Sequence, residues 1–212
     1  MKPWDERLRA GLRRPATARH RRLFEELNPD LAHTPILDRP PTRPRPAAVL
    51  IGIRQTDDPT VVMTLRAPTM PSHAGQISLP GGTPNPDDES LRATALRELE
   101  EEVGIAASAV EVLGEFGPHY GGLGYVVTPV VALLDPSVRV VPCPREVAEA
   151  FEVPLRALID PENHIVQPRR FNDIDYNMFA VPAYDTSGNY RNIWGLTAGI
   201  LHTFAEAFAD ED

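Results

Sequence analysis

Short stretches of β-branched and other apolar residues recur along the middle of the chain and predict β-strands. AAVLIGI (47–53) and TVVMTLR (60–66) are two such stretches, and the turn-like QTDDP between them indicates a pair of neighbouring strands. A shorter strand is expected in GQISLP (75–80), ahead of a loop rich in Gly, Pro, Asn and Asp. The same pattern predicts further strands over 110–116, 125–134, 137–141 and 177–183.

Helical periodicity marks other segments of the same region. Residues 90–103 predict a helix, with Asp87 or Asp88 available as its N-cap. A short helix is expected over 145–151, and IWGLTAGILHTFAEAF (193–208) predicts a closing amphipathic helix. Strands with interspersed helices and no internal repeat indicate an α/β fold, in which helices cover both faces of a mixed β-sheet.

The first part of the chain differs in character from the rest. An arginine-rich pattern over 4–27 predicts an amphipathic helix, and the prolines of RPPTRPRP (39–46) then forbid helix and favour an extended linker. Residues 1–46 hold eleven Lys and Arg against six Asp and Glu, whereas the rest holds ten against twenty-four. We therefore divide the chain into a basic helical arm with a proline-rich linker (1–46) and a core domain (47–212).

Composition and charge narrow the class of function. The acidic core domain lacks the basic surface that phosphate contacts with nucleic acid require. The single cysteine, Cys143, excludes an internal disulfide and a CxxC site. There is no apolar run long enough to span a membrane and no signal-peptide core, so we expect a cytoplasmic protein without a nucleic-acid or membrane partner. The oligomeric state is left open, with a homodimer as one alternative.

RELEEEVG (97–104) places four glutamates within five positions at the end of the helix predicted before Gly104. On a helical wheel, one apolar stripe holds Leu91, Ala95, Leu96, Leu99 and Val103. Glu98, Glu101 and Glu102 converge on the sector beside this stripe. Like charges at this spacing repel, and carboxylates in the last turn face the negative end of the helix dipole. Helix stability alone therefore does not explain these three glutamates.

A bound divalent cation would reverse this unfavourable electrostatic balance. Convergent carboxylates and water are the ligands that Mg²⁺ or Mn²⁺ accepts, whereas the alternative interpretation is a solvated acidic face. Because Mg²⁺ commonly bridges protein carboxylates and phosphoryl oxygens, the cluster indicates a metal site for a phosphate-containing substrate. An EF-hand is excluded because its Asp and Asn ladder and central Gly are missing.

The segment GGTPNPDDESLRATALRELEEEVGI (81–105) resembles the Nudix box, a Gly and a Glu followed by REUxEExGU, where U is a bulky aliphatic residue. The residues that match REUxEExGU are Arg97, Glu98, Leu99, Glu101, Glu102, Gly104 and Ile105. Glu89 lies eight positions before Arg97 as the pattern requires, although six residues instead of five separate it from Gly82. The resemblance implies the Nudix α/β/α sandwich and a hydrolase that uses Mg²⁺ or Mn²⁺.

The resemblance also implies roles for individual residues. Glu98, Glu101 and Glu102 are expected to hold the metal, and either Glu98 or Glu101 to deprotonate the attacking water. Arg97 is expected to fix these carboxylates by charge-assisted hydrogen bonds, with direct contact to substrate as the alternative. Glu89 is expected to orient the loop before the helix.

Upstream, TLRAPTMPSHAGQISLPGG (64–82) resembles the additional motif of the coenzyme A pyrophosphatase branch of this family, approximately LTxRSxxLRxHxGQxxFPGG. The matching residues are Arg66, His73, Gly75, Gln76, Pro80, Gly81 and Gly82. The positions that differ are Ala67, Met70, Pro71 and Leu79, where the branch has Ser, Leu, Arg and Phe. This resemblance implies hydrolysis of CoA or acyl-CoA to phosphopantetheine and adenosine 3′,5′-bisphosphate.

Within this motif, Arg66, His73, Gln76 and Gly82 are expected to contact the nucleotide substrate. Arg66 offers a fork that pairs with phosphate, and Gln76 an amide that both donates and accepts hydrogen bonds. The alternatives are hydrolysis of another nucleoside diphosphate compound, such as ADP-ribose or NADH, and a nucleotide-binding sensor without catalysis.

Two residues further along the chain keep two interpretations each. Tyr125 is either a core residue or a platform on which adenine stacks. Glu146 is either an additional metal ligand or a solvated surface residue.

Overall fold

A mixed β-sheet forms the centre of the molecule. The computed structural model describes residues 3–13, 23–31, 44–70, 73–121, 124–171 and 173–209. The strands of this sheet are β1 (Arg45–Arg54), β2 (Thr60–Arg66), β3 (Ile77–Ser78), β4 (Gly81–Gly82), β5 (Val110–Glu115), β6 (His119–Gly121), β7 (Tyr125–Leu134) and β8 (Val147–Pro154). The order across the sheet is β3-β2-β1-β7-β5, and β4 pairs with β1, β6 with β7 and β8 with β2.

The two central strands, β1 and β7, run parallel and are buried on both faces. Their register extends from Arg45 opposite Tyr125 to Arg54 opposite Leu134. Along β1, Ile51 packs into the core on one face of the sheet and Leu50 into the core on the other. Strands that are covered on both faces read as nearly continuous apolar runs, which explains why the sequence predicts both of them.

Helices cover the two faces of the sheet. α3 (Leu91–Val103) packs on one face, where Leu99 is fully buried. α5 (Leu196–Ala209) and α1 (Pro3–Arg13) pack on the other face, where Phe204 is fully buried. The predicted α/β/α sandwich with a mixed sheet is therefore confirmed. None of the helices in the described part of the chain is long and apolar enough to cross a membrane.

A second, smaller sheet follows the large one. It consists of β9 (Ile165–Phe171), β10 (Ile174–Tyr184) and β11 (Tyr190–Trp194), which are antiparallel and lie in the order β11-β10-β9. The sequence predicts only β10, as 177–183, because β9 and β11 are largely exposed or half-buried and contain few residues of an apolar run. The exposed apolar residues of the edge strand β9 are Ile165, Val166 and Phe171.

The predicted helix over 145–151 is wrong, because this segment belongs to strand β8. β8 pairs antiparallel with β2, and its buried residues Phe151 and Val153 lie on the same side of the strand, in the main core cluster. A spacing of two is the spacing of a half-buried strand. The helix-favouring Ala and Glu residues of the segment are overridden by this tertiary pairing.

The predicted strand over 137–141 is also wrong. The Asp135 carboxylate accepts hydrogen bonds from the backbone N–H of Ser137, at 2.8 Å, and from its hydroxyl, at 2.6 Å, and these bonds close a turn. The following residues have no regular secondary structure, and the N–H of Val141 donates to the carbonyl of Val103.

The remaining helices differ from the predictions in their bounds. The described parts of the predicted helix over 4–27 are α1 and α2 (Leu23–Leu27), and residues 14–22 lie outside the described residues. The closing helix begins at Leu196 because Gly195, at φ 72°, separates it from β11. The short helix α4 (Leu155–Ile159) was not predicted.

Helix α1 packs on the core domain through its apolar side. Leu8 is 1 % exposed and belongs to the main core cluster, against which Trp4 and Leu12 also pack. Arg9 donates hydrogen bonds of 3.0 Å to Asp5 within the helix and to Glu111 of β5. The division of the chain at residue 46 stays a prediction.

We expect Leu8→Ala to lower the free energy of unfolding by about 2–4 kcal/mol, because it leaves a cavity in the core that α1 shares with α5. Glu6→Ala, at an exposed position of the same helix, is the control and should change it by less than about 0.5 kcal/mol. Denaturant unfolding measures both, and equal effects of the two substitutions would contradict the packing described here.

Candidate active site

The helix that carries the glutamates, α3, is fixed at both ends. Ser90 is extended and its hydroxyl accepts a hydrogen bond from the N–H of Ala93 at 3.1 Å, so Ser90 is the N-cap instead of Asp87 or Asp88. Gly104 adopts a left-handed conformation at φ 72° and ends the helix. Both ends therefore hold the helix in place, and its last turns lie beside β4.

Arg97 is the centre of a hydrogen-bond network between α3 and the loop before it. Its guanidinium lies 3.0 Å from Asp88, 2.9 Å from Glu98 and 2.8 Å from Glu101, and it donates to the carbonyl of Thr83 at 3.0 Å. The hydrogen bond from Arg97 lowers the pKa of Asp88 to about 2, and the same pair raises the pKa of Arg97. The loop and the glutamates are thus joined through one cation.

Asp88 holds the loop, although the sequence motif draws attention to Glu89. Besides its contact with Arg97, the Asp88 carboxylate accepts hydrogen bonds of 2.9 Å from the N–H of Asn85 and from the hydroxyl of Thr94. Glu89 is exposed, and the role expected for it stays a prediction. The sequence suggests Asp88 only as an N-cap, although a carboxylate just before a helix that also contains an arginine is the signal that could have pointed to this contact.

A cavity of about 500 Å³ lies beside α3, between the large sheet and the last elements of the chain. Its lining includes all four residues expected to contact substrate, Arg66, His73, Gln76 and Gly82. Among the described residues, the carboxylates that line it are Glu98, Glu102 and Glu146. The fold therefore brings residues of the 64–82 segment and of the 81–105 segment, which resembles the Nudix box, to one cavity.

Glu102 is buried at the inner end of this cavity. The residue is 2 % exposed, its Oε1 lies 3.8 Å from a guanidinium nitrogen of Arg66, and its Oε2 has no hydrogen-bond partner among the described residues. Burial raises the pKa of Glu102 to about 8, with Glu98 and Glu146 adding to the rise, and Arg66 and a hydrogen bond from the backbone of Gly81 opposing it. A buried carboxyl with an unpartnered oxygen is costly unless another cation or donor reaches it.

Glu98 lies against the backbone of β4. A methyl group at Gly82 would overlap the Glu98 carboxylate, so only glycine leaves room for this close approach. Burial raises the pKa of Glu98, although the hydrogen bond and the charge of Arg97 oppose the rise.

Glu101 does not line the cavity as the sequence leads us to expect, whereas Glu146, for which the sequence leaves two interpretations, does line it. The Glu101 side chain is 52 % exposed and is held by Arg97 instead of lining the cavity. Glu146 precedes β8, lines the cavity and raises the pKa of both Glu98 and Glu102. Sequence reasoning left Glu146 open because only the pairing of β8 with β2 brings it close to α3.

Within the described part of the chain, no group of three or more His, Cys, Asp or Glu side chains is arranged to coordinate a metal ion. Arg97 engages Glu98 and Glu101, and Arg66 lies closest to Glu102. The donor set nevertheless fits a hard divalent cation, because carboxylates with raised pKa values and an unpartnered buried oxygen share one cavity. Binding a cation requires these carboxylates to exchange their arginine contacts.

His73 and Gln76 form a pair at the cavity. His73 has a positive φ of 57°, which is uncommon for a residue other than glycine, and its Nδ1 lies 2.9 Å from Oε1 of Gln76. Since the Gln76 oxygen only accepts, Nδ1 of His73 carries the proton in this contact. Pro71 lies outside the described residues.

Tyr125 lines the cavity beside this polar region, and the Arg45 guanidinium lies 4.2 Å from the centre of its ring. The ring is half-buried and also packs against the main core cluster, so it contributes both to the core and to the lining of the cavity. Adenine stacking on Tyr125 stays a prediction.

We expect Gly82→Ala to weaken Mn²⁺ binding at least tenfold, because the added methyl displaces the Glu98 carboxylate. The free energy of unfolding should change by less than about 1 kcal/mol, since the displaced atoms are the end of a flexible side chain. Gly114→Ala is the matched control, because its methyl group meets only ordinary contacts with Leu12, the nearest at 3.6 Å. Calorimetric Mn²⁺ titrations that give one affinity for all three proteins would contradict the position assigned to Glu98.

We expect the free energy of unfolding of Glu102→Gln, measured in chelator at pH 8, to equal that of the wild type or to exceed it by up to about 1 kcal/mol. Because its pKa is raised from 4.5 to about 8, the folded wild type keeps a proton that the unfolded chain releases. Wild-type stability should therefore fall as pH rises from about 5 to 8, and the fall should be smaller in the variant.

The same pair of proteins also tests metal binding at Glu102. Millimolar Mg²⁺ should stabilise the wild type more than Glu102→Gln, because a ligand stabilises the folded state in proportion to its occupancy. Denaturant unfolding in chelator and in Mg²⁺ measures the difference. If the difference between the proteins is the same in both buffers, Glu102 is not a metal ligand.

Comparison with known proteins identifies the family. The family model described as NUDIX domain matches residues 43–173. The uncharacterized Nudix hydrolase NudL of Photorhabdus laumondii is 41 % identical over 162 residues, which cover 76 % of this chain and 84 % of that protein. The protein of the same name from Yersinia pestis is 41 % identical over 164 residues, covering 76 % of this chain and 79 % of that one.

Among solved structures, the crystal structure of the Nudix hydrolase RenU from M. smegmatis is 25 % identical with a TM-score of 0.44, and the alignment covers 55 % of this chain and 74 % of RenU. The family match over most of the core and the two NudL relatives establish the assignment. This chain belongs to the Nudix family of hydrolases.

Proposed function

We propose that this chain hydrolyses the pyrophosphate bond of coenzyme A or acyl-CoA to phosphopantetheine and adenosine 3′,5′-bisphosphate. The observation that supports this most is that Arg66, His73 and Gln76, from the motif resembling the CoA branch, line one cavity with Glu98 and Glu102. The motif that suggests the substrate and the motif that suggests the chemistry therefore contribute to a single site.

The reaction consumes one water. The water oxygen forms a bond to one phosphorus of the diphosphate, the bridging P–O bond breaks, and the bridging oxygen leaves with the other phosphate. The proton of the attacking water passes to a carboxylate and then to solvent. No covalent enzyme intermediate is needed.

The acidic side chains would hold Mg²⁺ or Mn²⁺ beside the substrate. Glu98, Glu101 and Glu102 are the proposed ligands from α3, and Glu146 is a further one because it faces the same cavity. When bound, the cation would offset the negative charge of the diphosphate and lower the pKa of water. Arg97 would then keep Glu98 and Glu101 oriented by whichever of its hydrogen bonds remain.

Arg66 would pair with the diphosphate oxygens. Its Nε is buried without a hydrogen-bond partner among the described residues, so this guanidinium has unused donor capacity beside the cavity. A planar fork of donors suits phosphate oxygens. The His73 and Gln76 pair would present its remaining ring nitrogen and amide N–H₂ groups to the polar part of the substrate.

Either Glu98 or Glu101 would accept the proton of the attacking water. Both carboxylates accept a hydrogen bond from Arg97. Glu98 differs in being partly buried at the cavity, whereas Glu101 is half exposed. The two candidates are separated by the pH dependence of kcat in Glu98→Gln and Glu101→Gln.

We expect CoA to be cleaved with a higher kcat/KM than ADP-ribose, NADH or dinucleotide polyphosphates in the presence of Mg²⁺ or Mn²⁺. Product analysis by chromatography should find phosphopantetheine and adenosine 3′,5′-bisphosphate, and excess chelator should abolish turnover. A panel in which ADP-ribose is the best substrate would favour the alternative substrate class, in keeping with Pro71 standing where the CoA branch has Arg, and binding without cleavage would indicate a sensor.

We expect Glu98→Gln to lower kcat at least about a hundredfold, the scale of losing one major electrostatic stabiliser, while the protein stays folded. Glu100→Gln is the matched control, because Glu100 lies on the same helix but is exposed. A near-normal kcat for Glu98→Gln on the best substrate of the panel would remove Glu98 from the proposed mechanism.

A further inference from the structure

The cavity has two chemically different walls. The polar wall consists of the charged and polar lining residues of β2, the segment between β2 and β3, β4, α3 and the segment before β8. The apolar wall consists of Met178 from β10, Trp194 from β11, and Leu196 and Ile200 from α5. These four residues follow residue 173, where the match to the NUDIX domain ends. The last part of the chain therefore contributes the apolar wall of this cavity.

Thr197 and Gly195, which lie within the apolar wall, already use their donors in hydrogen bonds to other parts of the protein. The hydroxyl of Thr197 donates to the carbonyl of Ile77 at 3.3 Å, and the N–H of Gly195 donates to the carbonyl of Phe179 at 3.1 Å. The carbonyl of Gly195 accepts from the N–H of Gly199 at 2.9 Å. A ligand group that needs hydrogen bonds would have to compete with these contacts.

The side chains of this wall also restrict the shape of what it can bind. The Arg169 guanidinium lies 4.6 Å from the centre of the Trp194 ring, so one face of the indole is covered. Met178 reaches towards Gly195, where a Cβ would lie 3.4 Å from the Met178 terminal methyl. Methionine adapts to irregular apolar ligands because its side chain is unbranched and flexible.

We propose that this wall binds the uncharged acyl-pantetheine end of the substrate and makes the enzyme select acyl-CoA by its acyl chain. The inference rests on the proposed function, since the diphosphate would occupy the polar wall of the same cavity. Methylene groups need no hydrogen-bond partners, whereas a sugar with several hydroxyls would lose partners against this surface. The hydroxyl proton of Thr197 and the N–H of Gly195 are already donated within the protein, so an adenine base would find no free donor at either group.

The binding of S-acyl pantetheines tests this proposal without turnover, because these compounds are uncharged and contain no diphosphate. The chain has two tryptophans, and Trp4→Phe leaves Trp194 as the source of indole fluorescence. Titration of this variant with acetyl, butyryl and hexanoyl pantetheine should give a saturable change in emission. The Kd should fall by about fourfold per added methylene, which corresponds to ~0.8 kcal/mol, until the chain fills the space.

Two neighbouring residues of β10 provide a matched pair of variants in the Trp4→Phe background. Met178 lines the cavity, whereas Phe179 points to the other side of the strand and stacks on His202 with ring centres 4.2 Å apart. Met178→Ser should raise the Kd for hexanoyl pantetheine at least fivefold. It should also reduce the difference in Kd between the acetyl, butyryl and hexanoyl compounds. Phe179→Ser should change the Kd less than twofold, and Tyr184→Ser, at an exposed position of β10, is the second control.

Three results would overturn the proposal. They are the absence of a saturable change, one Kd for all three chain lengths, and equal losses in Met178→Ser and the controls. If adenosine gives a saturable change in emission and the acyl pantetheines do not, the apolar wall binds the adenine base instead of the acyl-pantetheine end. The proposed function fails by a different result, the absence of CoA cleavage in the substrate panel, so the two failures are distinguishable.

Discussion

The contacts of Arg97 hold together a helix end that would otherwise be unstable. α3 ends with several carboxylates in its last two turns, at the negative end of the helix dipole. Arg97 lies within 3.0 Å of Asp88, Glu98 and Glu101, so one guanidinium offsets charge on the helix and anchors the preceding loop. Because β4 leads directly into this loop, the position of Glu98 against Gly82 also depends on this arrangement.

The same network determines how a cation would enter the site. Arg97 and Arg66 already interact with the carboxylates that a divalent ion needs, and Arg66 does so at the longer distance of 3.8 Å. Metal binding at this site would therefore be an exchange of one cation for another, instead of the filling of a preformed cage. In the proposed mechanism, each arginine released from a carboxylate would gain donors for the phosphates of the substrate, which would couple metal binding to substrate binding through the same side chains.

The sequence predicts those parts of the fold that are determined by local pattern. β1, β7 and α3 are recognisable because buried strands read as apolar runs and an amphipathic helix repeats its apolar stripe. β8 is mistaken for a helix because its Ala and Glu residues favour helix locally, and only pairing with β2 makes it a strand. β9 and β11 are missed because their residues depend on contacts with β10 that no local pattern shows.

The candidate site likewise contains residues that local sequence patterns predict and residues that they do not. Glu98, Glu102 and the residues of the 64–82 segment are found from motifs, because their spacing along the chain follows from one helix and one loop. Glu146 and the apolar wall that includes Trp194 are far from these motifs in sequence and reach the cavity only through the packing of β8, β11 and α5. Asp88 is local, but a family pattern that emphasises Glu89 draws attention away from it.

The edge strand β9 protects the small sheet from joining strands of other chains. Pro168 lies opposite Asn177 of β10, and the N–H of Asn177 donates to Asn28 at 2.6 Å instead of to β9. In an antiparallel pair, two directly opposed residues either both turn their backbone N–H and C=O groups towards each other or both turn them away. Because the N–H of Asn177 points away from β9, the nitrogen of Pro168 points away from β10, towards the open edge. Proline has no hydrogen to donate there, which interrupts the row of donors that an incoming strand would need. The exposed Ile165, Val166 and Phe171 can therefore lie at a sheet edge with little risk of aggregation by strand addition.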